Sequence, residues 1–465
     1  MEPAEKKIKL EELQESPEKS ILDLNDDCLI QIFSYFSLEK LVEVDKVCPR
    51  FRSVAEEYFY KKQKVLKIEK TFQNRTPVAD LAERMGPYVS TLEINTYCTN
   101  LDYLKPLWIH CTSLEHLTIR YTKIMTHVEL MKDIFKNLKS AILVYCGLSD
   151  EIGEYLKTAP DLYNLSLKAN PEITGNFLPE LKHQLKEINV IKCDNIFRTP
   201  YFGEFCRDNL KLESLAIRLP YYRTLMASLA ELTNLTKLIL VNPQLIPASN
   251  IVPHFPKLTH LELRAAIFFT SEVNIILYRF LEYLGNMDCL EYLRIDENVM
   301  SSTESITKVY NRILPKFTKL KVLKVIHKYT AEFADSHLEG MKCRQTIESL
   351  EICNSRKITD KGLFKFLKDC PNIKNLYLKR CRKITDNLIH KLMPVCAERP
   401  HTLEILADET KITDYIKDEL QELQEEDRKI EFHCDSTFRD WCDSDDSDSS
   451  HDSYEFDTSY DSDMD

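Results

Sequence analysis

A spacing of apolar residues repeats along most of the chain. The pattern apolar-x-x-apolar-x-apolar begins thirteen times, at intervals that average about 26 residues. Leu holds the second apolar position in nearly every copy, and Pro400 is the one departure from the apolar pattern. The copies begin at Val89, Leu114, Leu138, Leu162, Leu185, Leu212, Leu235, Leu258, Leu290, Leu320, Ile347, Ile373 and Pro400. A period of this length indicates units that bury their apolar faces by stacking on one another.

The spacing within each copy predicts a short strand followed by a helical segment. Stacked units of this kind are typical of an α/β solenoid of leucine-rich repeats, with a parallel sheet on the concave side and helices on the convex side. Small polar or sulfur-bearing residues follow the strands, where they can turn inward and bond the backbone of the neighbouring coil. They are Cys146, Asn170, Cys193, Asn298, Ser355, Cys381 and Asp408. We interpret the cysteines among them as structural residues without a redox or metal role.

The C-terminal copies carry a further signature, Ile-Thr-Asp, at residues 358–360, 384–386 and 412–414. Thr or Asp at these places can cap the helix that follows. Together with Cys381 and the segment 370–373, the signature resembles the cysteine-containing subfamily of leucine-rich repeats. The two longest intervals leave room for a longer helix from Ser271 to Leu284.

A different pattern precedes the repeats. Leu29, Ile32, Phe33 and Phe36 fall at i, i+3, i+4 and i+7, which predicts one face of a helix. Ser37 can cap a second helix, and Pro49 suits the first turn of a third. Three short helices bury little apolar area alone, so the module needs the solenoid or a partner for stability.

This segment, from Ile21 to Ala55, resembles an F-box, with Asn25 in place of the usual Pro and Phe51 in place of the usual Trp. An F-box followed by cysteine-type leucine-rich repeats implies a substrate receptor of SCF-type cullin–RING ubiquitin ligases. The resemblance implies that the F-box binds a Skp-type adaptor and, through it, the cullin and RING subunits. It places Leu24, Ile32, Phe33, Leu41, Val47, Cys48 and Phe51 at or beneath the adaptor interface, although several of them also fit a purely internal core.

The charge is unevenly distributed. The net charge is -12, but residues 443–465 contain ten Asp or Glu and no Lys or Arg, so the rest of the chain is nearly neutral. A neutral body argues against a nucleic-acid-binding protein of the strongly basic kind. The chain has only eight Gly, and none forms a Gly-rich phosphate-binding motif, so we expect no nucleotide or other cofactor.

The apolar runs and the cysteines predict the cellular compartment of the protein. No apolar run is long enough to span a bilayer, and the first twenty residues are charged rather than signal-like, so we expect no membrane contact. Fifteen scattered cysteines fit a reducing compartment, which indicates the cytoplasm, the nucleus or both. His433, Cys434, Cys442 and His451 match no common zinc spacing, so we expect no metal.

A row of basic residues is predicted on the concave face. Strand side chains alternate, so the residue after each strand's last apolar position faces outward. Arg120, Lys168, Arg218 and Arg264 alternate there with apolar residues, Tyr121 and Tyr145 flank the row, and Arg294, Lys324, Lys379 and Arg380 extend it. Such a row suits a protein substrate with an acidic or phosphorylated segment. The alternative is an ordinary solvated face, because six carboxylates share the surface: Glu93, Glu187, Glu262, Asp296, Glu351 and Glu404.

The predicted organisation is a charged flexible N-terminus (1–19), an F-box (20–63), about thirteen repeats (64–434) and a disordered acidic Ser/Asp tail (435–465). Ser449, Thr458 and Ser462 in the tail are candidate phosphorylation sites, and the tail itself is a candidate competitor for the basic row. We expect a non-enzymatic protein that presents substrates for ubiquitination and proteasomal degradation. The alternative is a repeat scaffold that carries an F-box without promoting degradation.

Overall fold

The structure, a computed structural model, describes residues 20–69, 78–97, 101–181, 185–218, 228–241, 255–266, 289–297, 307, 310–422 and 429–433. The chain divides into two compact units, at Ile173 and Thr174. The predicted helix at 271–284 and the acidic tail lie outside the described residues. No helix of the described ranges is long and apolar enough to cross a membrane.

The first unit begins with the three helices that the sequence predicts, α1 (Asp26–Phe33), α2 (Leu38–Val44) and α3 (Pro49–Tyr58). Each starts at a side chain that accepts a backbone N–H: Asn25 for α1, Ser37 for α2 and Cys48 for α3. Asn25 therefore caps α1 through its side chain, accepting from the Cys28 N–H at 2.9 Å, which a proline could not do.

The three helices enclose a small aromatic core. Phe33 packs edge-to-face on Phe51, with ring centroids 5.2 Å apart. A buried contact joins the helices to the first repeat: Asp45, at the end of α2, accepts from the Tyr60 hydroxyl at 3.1 Å and pairs with Arg84 at 3.1 Å. Arg84 lies on α4 (Val78–Met85), so the helical module shares a core with the repeat that follows, as its small size requires.

The strands of the first unit form a parallel sheet in chain order, and each connection between strands contains a short helix or 3-10 turn. The strands are β1 (Val65–Glu69), β2 (Thr91–Asn95), β3 (His116–Arg120), β4 (Ser140–Val144) and β5 (Asn164–Ser166). The helices after α4 are α5 (Lys105–His110), α6 (Lys132–Phe135) and α7 (Ile152–Leu156).

The second unit continues the same plan. Its strands are β6 (Glu187–Asn189), β7 (Ser214–Arg218), β8 (Lys237–Val241), β9 (His260–Ala266), β10 (Tyr292–Glu297), β11 (Val322–Ala334), β12 (Ser349–Lys357), β13 (Asn375–Lys379), β14 (Leu403–Asp408) and β15 (Ile430–His433). Its helices are α8 (Tyr201–Asp208), α9 (Asp335–Gly340), α10 (Asp360–Leu367), α11 (Asp386–Ala397) and α12 (Tyr415–Glu422). The strand pairs recorded within this unit are also parallel.

These units confirm the predicted leucine-rich-repeat solenoid. The thirteen predicted strands correspond to β2–β14, and within the described residues β1 and β15 add one strand before and one after them. Strand leucines such as Leu92, Leu117 and Leu215 are buried, whereas the residues between them face the opposite side of the sheet. We call that opposite side the outer face.

Buried polar side chains tie successive coils together after several strands, as predicted for Cys146, Asn170 and Cys381, whereas Asp408 is half-buried and Asn298 lies outside the described residues. Asn170 accepts from the backbone N–H groups of Cys146 and Leu148 and donates to the Leu143 carbonyl at 2.9 Å. Cys146 and Cys381 donate their thiols to carbonyls of the preceding coil. All of these groups are buried, so the bonds satisfy backbone atoms that water cannot reach.

The Thr and the Asp of the Ile-Thr-Asp signature make contacts in two different repeats. Thr359 and Thr385 cap α10 and α11 as expected. The aspartates instead reach the next repeat: Asp360 accepts from the backbone N–H and the hydroxyl of Thr385, at 2.9 and 2.6 Å. Asp386 accepts in the same way from Thr413.

Candidate functional site: the F-box surface and the outer face of the sheet

The F-box residues expected at or beneath an adaptor interface fall into three groups. Phe33, Leu41 and Phe51 are buried and form the internal core. Leu24, Ile32 and Cys48 are half-buried. Val47 alone of the seven is prominently exposed, at 68% of its maximum.

Other apolar side chains on the same module are exposed, and sequence reasoning missed them. Tyr35 is 82% exposed, and Ile21 and Leu22 also face solvent. Arg50 fixes the segment before α1, because its guanidinium donates to the Leu22 and Leu24 carbonyls and pairs with Asp26 at 2.7 Å. The module thus presents apolar groups on a braced backbone, which suits a protein partner.

On the outer face of the second unit, basic residues are paired within the chain. Three ion pairs form here, with side-chain N···O distances of 2.7 Å for Arg264–Glu262, 2.8 Å for Arg294–Asp296 and 2.8 Å for Lys324–Glu351. These three cations and three anions lie on β9–β12, and in register Arg294 stands between Glu262 and Lys324. We call the six residues the charge cluster.

The charge cluster is largely shielded from solvent. Glu262 is 4% exposed and Arg294 is 8% exposed. Burial by itself would raise the pKa of Glu262, but hydrogen bonds from His260 and Arg264 and the charge of Arg264 outweigh it and lower that pKa to about 2. The His260 ring also stacks on Tyr292, with centroids 3.8 Å apart. Glu262 is therefore ionised, and the cluster contains as many basic as acidic side chains, paired with one another.

Two more predicted basic residues of this unit are also paired. Arg218 meets Asp194 at 3.0 Å, and Arg380 meets Glu409 at 2.8 Å. Lys379, by contrast, shows no ion pair among the described residues. Carboxylates thus pair with each predicted cation of the second unit except Lys379, and Arg380 lies in the turn after β13 rather than on the face of the sheet.

The first unit differs at the carboxyl ends of its strands. Arg120 ends β3, is exposed and shows no ion pair with the residues the structure describes. Tyr121 and Tyr145 are the first residues after β3 and β4, and their rings stack with centroids 5.6 Å apart. Tyr97, which the sequence analysis did not select, extends the stack at 4.8 Å from Tyr121. The regular spacing of the three tyrosines along the chain was the signal that could have revealed it. Lys168 occupies the corresponding end of the next coil and is half-buried.

These tyrosines occupy an unusual backbone conformation. Tyr121 and Tyr145 have φ of 61° and 55°, in the left-handed region. Ala169, Asn354 and Arg380 hold the same conformation at corresponding places, so the turn belongs to the repeat geometry. The Tyr121 N–H donates to the Val144 carbonyl at 2.9 Å, which joins each turn to the next coil.

No group of metal-ligating side chains occurs among the described residues, and the candidate phosphorylation sites Ser449, Thr458 and Ser462 lie outside them. The buried thiols have no sign of reactivity, since burial raises the pKa of Cys146 and Cys370 to about 12.

Comparison with known proteins identifies one domain. The F-box domain family matches residues 21–62, so the chain contains an F-box domain followed by a leucine-rich-repeat fold. No curated protein matches the chain.

Three solved structures are similar over 88% of this chain. One is an internalin from Listeria monocytogenes, with 14% identity, 96% of that chain covered and a TM-score of 0.37. The second is the Rad7 and Elc1 complex in yeast, with 14% identity, 92% covered and a TM-score of 0.45. The third is a leucine-rich-repeat protein of Leptospira interrogans, with 16% identity, 98% covered and a TM-score of 0.36. At these scores the likenesses carry no statement about what this chain binds.

Proposed function

We propose that this protein is the substrate-recognition subunit of an SCF-type ubiquitin ligase. The F-box binds a Skp-type adaptor, and the outer face of the repeat sheet holds a protein substrate. The observation that carries the proposal is the F-box domain at residues 21–62, joined through the buried Asp45–Arg84 contact to a repeat sheet. Its membership in the cysteine-containing repeat subfamily stays a prediction.

In this function the chain performs no chemistry itself. Holding a substrate beside a ubiquitin-charged enzyme raises the effective concentration of the acceptor lysines, to the millimolar range for short flexible connections. The shared core between the F-box and the first repeat supports this, because a rigid joint keeps a substrate bound to that repeat at a fixed place relative to the adaptor.

The test begins with the exposed apolar residues of the F-box, since Phe33 and Leu41 are core residues whose loss would unfold the module. We expect Tyr35→Glu combined with Val47→Glu to reduce co-purification of a Skp-type adaptor by about a hundredfold, because two buried charges at an interface cost several kcal/mol. Tyr415→Glu, at a comparably exposed tyrosine of α12, is the matched control and leaves adaptor binding unchanged. Undiminished adaptor binding by the double variant contradicts the proposal.

A second measurement separates a degradative receptor from a scaffold. Partners captured with the full chain are compared with and without a proteasome block, and their half-lives are followed in cells that carry the wild type or the Tyr35→Glu, Val47→Glu variant. A receptor lengthens the half-life of its partner when the F-box is disabled. A scaffold binds the same partner and leaves its half-life unchanged.

A further inference from the structure

We propose that the carboxyl-end rim of the first unit is the docking surface for an extended acidic segment of a protein partner. The rim consists of Tyr97, Tyr121, Tyr145, Arg120 and Lys123, and we call it the tyrosine rim. This inference rests on the proposed function, because it names the substrate class that the repeats hold. It confines that surface to one part of the predicted basic row.

The three rings form a continuous column across β2, β3 and β4. Their centroids are 4.8 and 5.6 Å apart, and their planes differ by 27° and 18°. These spacings are close to the distance between neighbouring strands of a sheet, so each coil contributes one ring to the column. Tyr97 is 58% exposed, and Tyr121 and Tyr145 are half-buried.

A stacked column favours anions over cations. The π faces of the rings, which attract cations, are covered by one another inside the column. The ring edges carry partial positive charge, which favours carboxylate or phosphate oxygens.

The charges around the column have the same sign. Arg120 and Lys123 are exposed and show no ion pair among the residues the structure describes. No Asp or Glu lies at the strand ends and turns of these coils, residues 94–97, 120–124, 144–148 and 168–171. In the second unit the turn position that Tyr121 holds here is occupied by Arg380, which is paired with Glu409. An acidic segment therefore finds uncompensated charge at the tyrosine rim.

The rim is also held in place before any partner binds. The Thr122 hydroxyl donates to the Thr96 carbonyl at 2.6 Å, and buried Asn170 anchors the turn at Cys146. The Lys123 stem lies beside Gly147, where an added Cβ would come within 3.3 Å of its Cγ. A preorganised surface loses little conformational entropy on binding, which improves affinity.

The backbone makes tyrosine a costly choice at these turns. A bulky residue in the left-handed region is strained, whereas Asn adopts it readily, as Asn354 does in the second unit. The presence of tyrosine at both positions, Tyr121 and Tyr145, therefore indicates a gain that offsets the backbone strain. The ring column is that gain, and its Tyr97 end is exposed to a partner.

The test uses the full chain and a labelled peptide of about twelve residues built from Glu, Asp, Tyr and Ser, a length that spans about 40 Å when extended. Fluorescence anisotropy follows binding in low salt. We expect saturable binding that weakens about tenfold when both Arg120→Glu and Lys123→Glu are introduced, and that falls with added salt. A peptide with Gln and Asn in place of its acids should not bind.

The chain offers a matched control. Lys379 and Arg382 have the same spacing as Arg120 and Lys123, end a corresponding strand and show no ion pair among the described residues, but lack the tyrosines. Lys379→Glu with Arg382→Glu should bind the peptide as the wild type does. Equal loss in this control, no loss in the rim variant, or equal binding of the neutral peptide would each overturn the inference.

The aromatic part has its own test. Tyr121→Asn with Tyr145→Asn keeps every charge, relieves the turn and should still unfold cooperatively, yet we expect it to weaken peptide binding about tenfold, because two of the three rings are lost. Full binding by this variant overturns the role of the column.

The outcome is separable from that of the proposed function. The Tyr35→Glu, Val47→Glu variant should bind the acidic peptide normally, and the rim variants should still bind adaptor. If the wild-type chain binds no adaptor, the proposed function fails and the peptide-binding result is unaffected. If the acidic peptide does not bind, the inference about the rim fails and the adaptor-binding result is unaffected.

Discussion

The two units share one repeat geometry but handle charge differently. In the second unit the outer face carries a buried set of ion pairs, in which Glu262, Arg264, Arg294 and their neighbours satisfy one another. In the first unit Arg120 stands exposed beside stacked tyrosines, with no ion pair among the described residues. Both patterns come from strand residues on the same face of the same kind of coil. Whether a cation on this face forms an internal ion pair or is exposed to a binding partner therefore depends on its neighbours and not on its position in the repeat.

The largest expected effect contrasts two arginines. Arg294→Ala removes a buried cation that pairs with Asp296 at 2.8 Å and lies in register between Glu262 and Lys324, so we expect it to lower the free energy of unfolding by about 4 kcal/mol. Arg120→Ala removes an exposed side chain that has no ion pair within the described ranges, and should change the free energy of unfolding by less than about 0.5 kcal/mol. Urea denaturation of both variants measures the difference. Equal costs would show that the two units do not differ in how their charges are satisfied.

The pH dependence of the free energy of unfolding tests whether the ion pairs of the second unit stabilise the fold. Because the folded pKa of Glu262 is about 2, below its ordinary value of 4.5, its ionisation stabilises the fold fully above pH 4.5 and loses that effect as the pH falls toward 2. Glu262→Gln should therefore cost about 3 kcal/mol at pH 7 and less than half of that at pH 3. Urea titrations of both proteins at the two pH values measure this, and a cost independent of pH would contradict it.

The buried polar ladder provides a smaller contrast. Asn170→Ala leaves the N–H groups of Cys146 and Leu148 buried without an acceptor, so we expect a loss of about 2 kcal/mol. In the second unit Ser355 accepts from one N–H, that of Ile358, and Ser355→Ala should cost about 1 kcal/mol. Half-buried Asn164 on β5 is the control, and its replacement by Ala should have almost no effect. Thermal unfolding of the three variants ranks them.

How far the sequence predicts the molecule depends on the length scale of the interaction. The thirteen copies of the apolar pattern predicted β2–β14, because every strand of a stacked repeat must bury the same positions. β1 and β15 were missed because the first apolar position of the pattern is polar in both, with Gln63 before Leu66 and Ile68 and Asp427 before Ile430 and Phe432.

The candidate site was predicted less completely. The pattern placed Arg264 and Arg294 on the outer face, but not their pairing. The signal was present: Glu262 and Arg264, like Arg294 and Asp296, are two residues apart on one strand, so their side chains share a face. Their burial depends on the packing of neighbouring coils, which no single strand reveals. Tyr97 was missed because its stacking partner, Tyr121, comes from the next coil.

The smallest expected effect concerns the left-handed turns themselves. Tyr121→Asn relieves the strained backbone but removes both ring contacts, so the two terms offset and the free energy of unfolding should change by less than about 1 kcal/mol. Asn354→Tyr is the reverse change at the corresponding turn of the second unit. It adds the backbone strain without a ring contact in return, because the corresponding turn of the next repeat holds Arg380 rather than a tyrosine. We therefore expect it to lower the free energy of unfolding by about 1 kcal/mol or more. Urea denaturation of both variants tests the asymmetry. If Asn354→Tyr costs nothing, a tyrosine is not strained at this turn, and the presence of Tyr121 and Tyr145 needs no gain from the ring column to explain it.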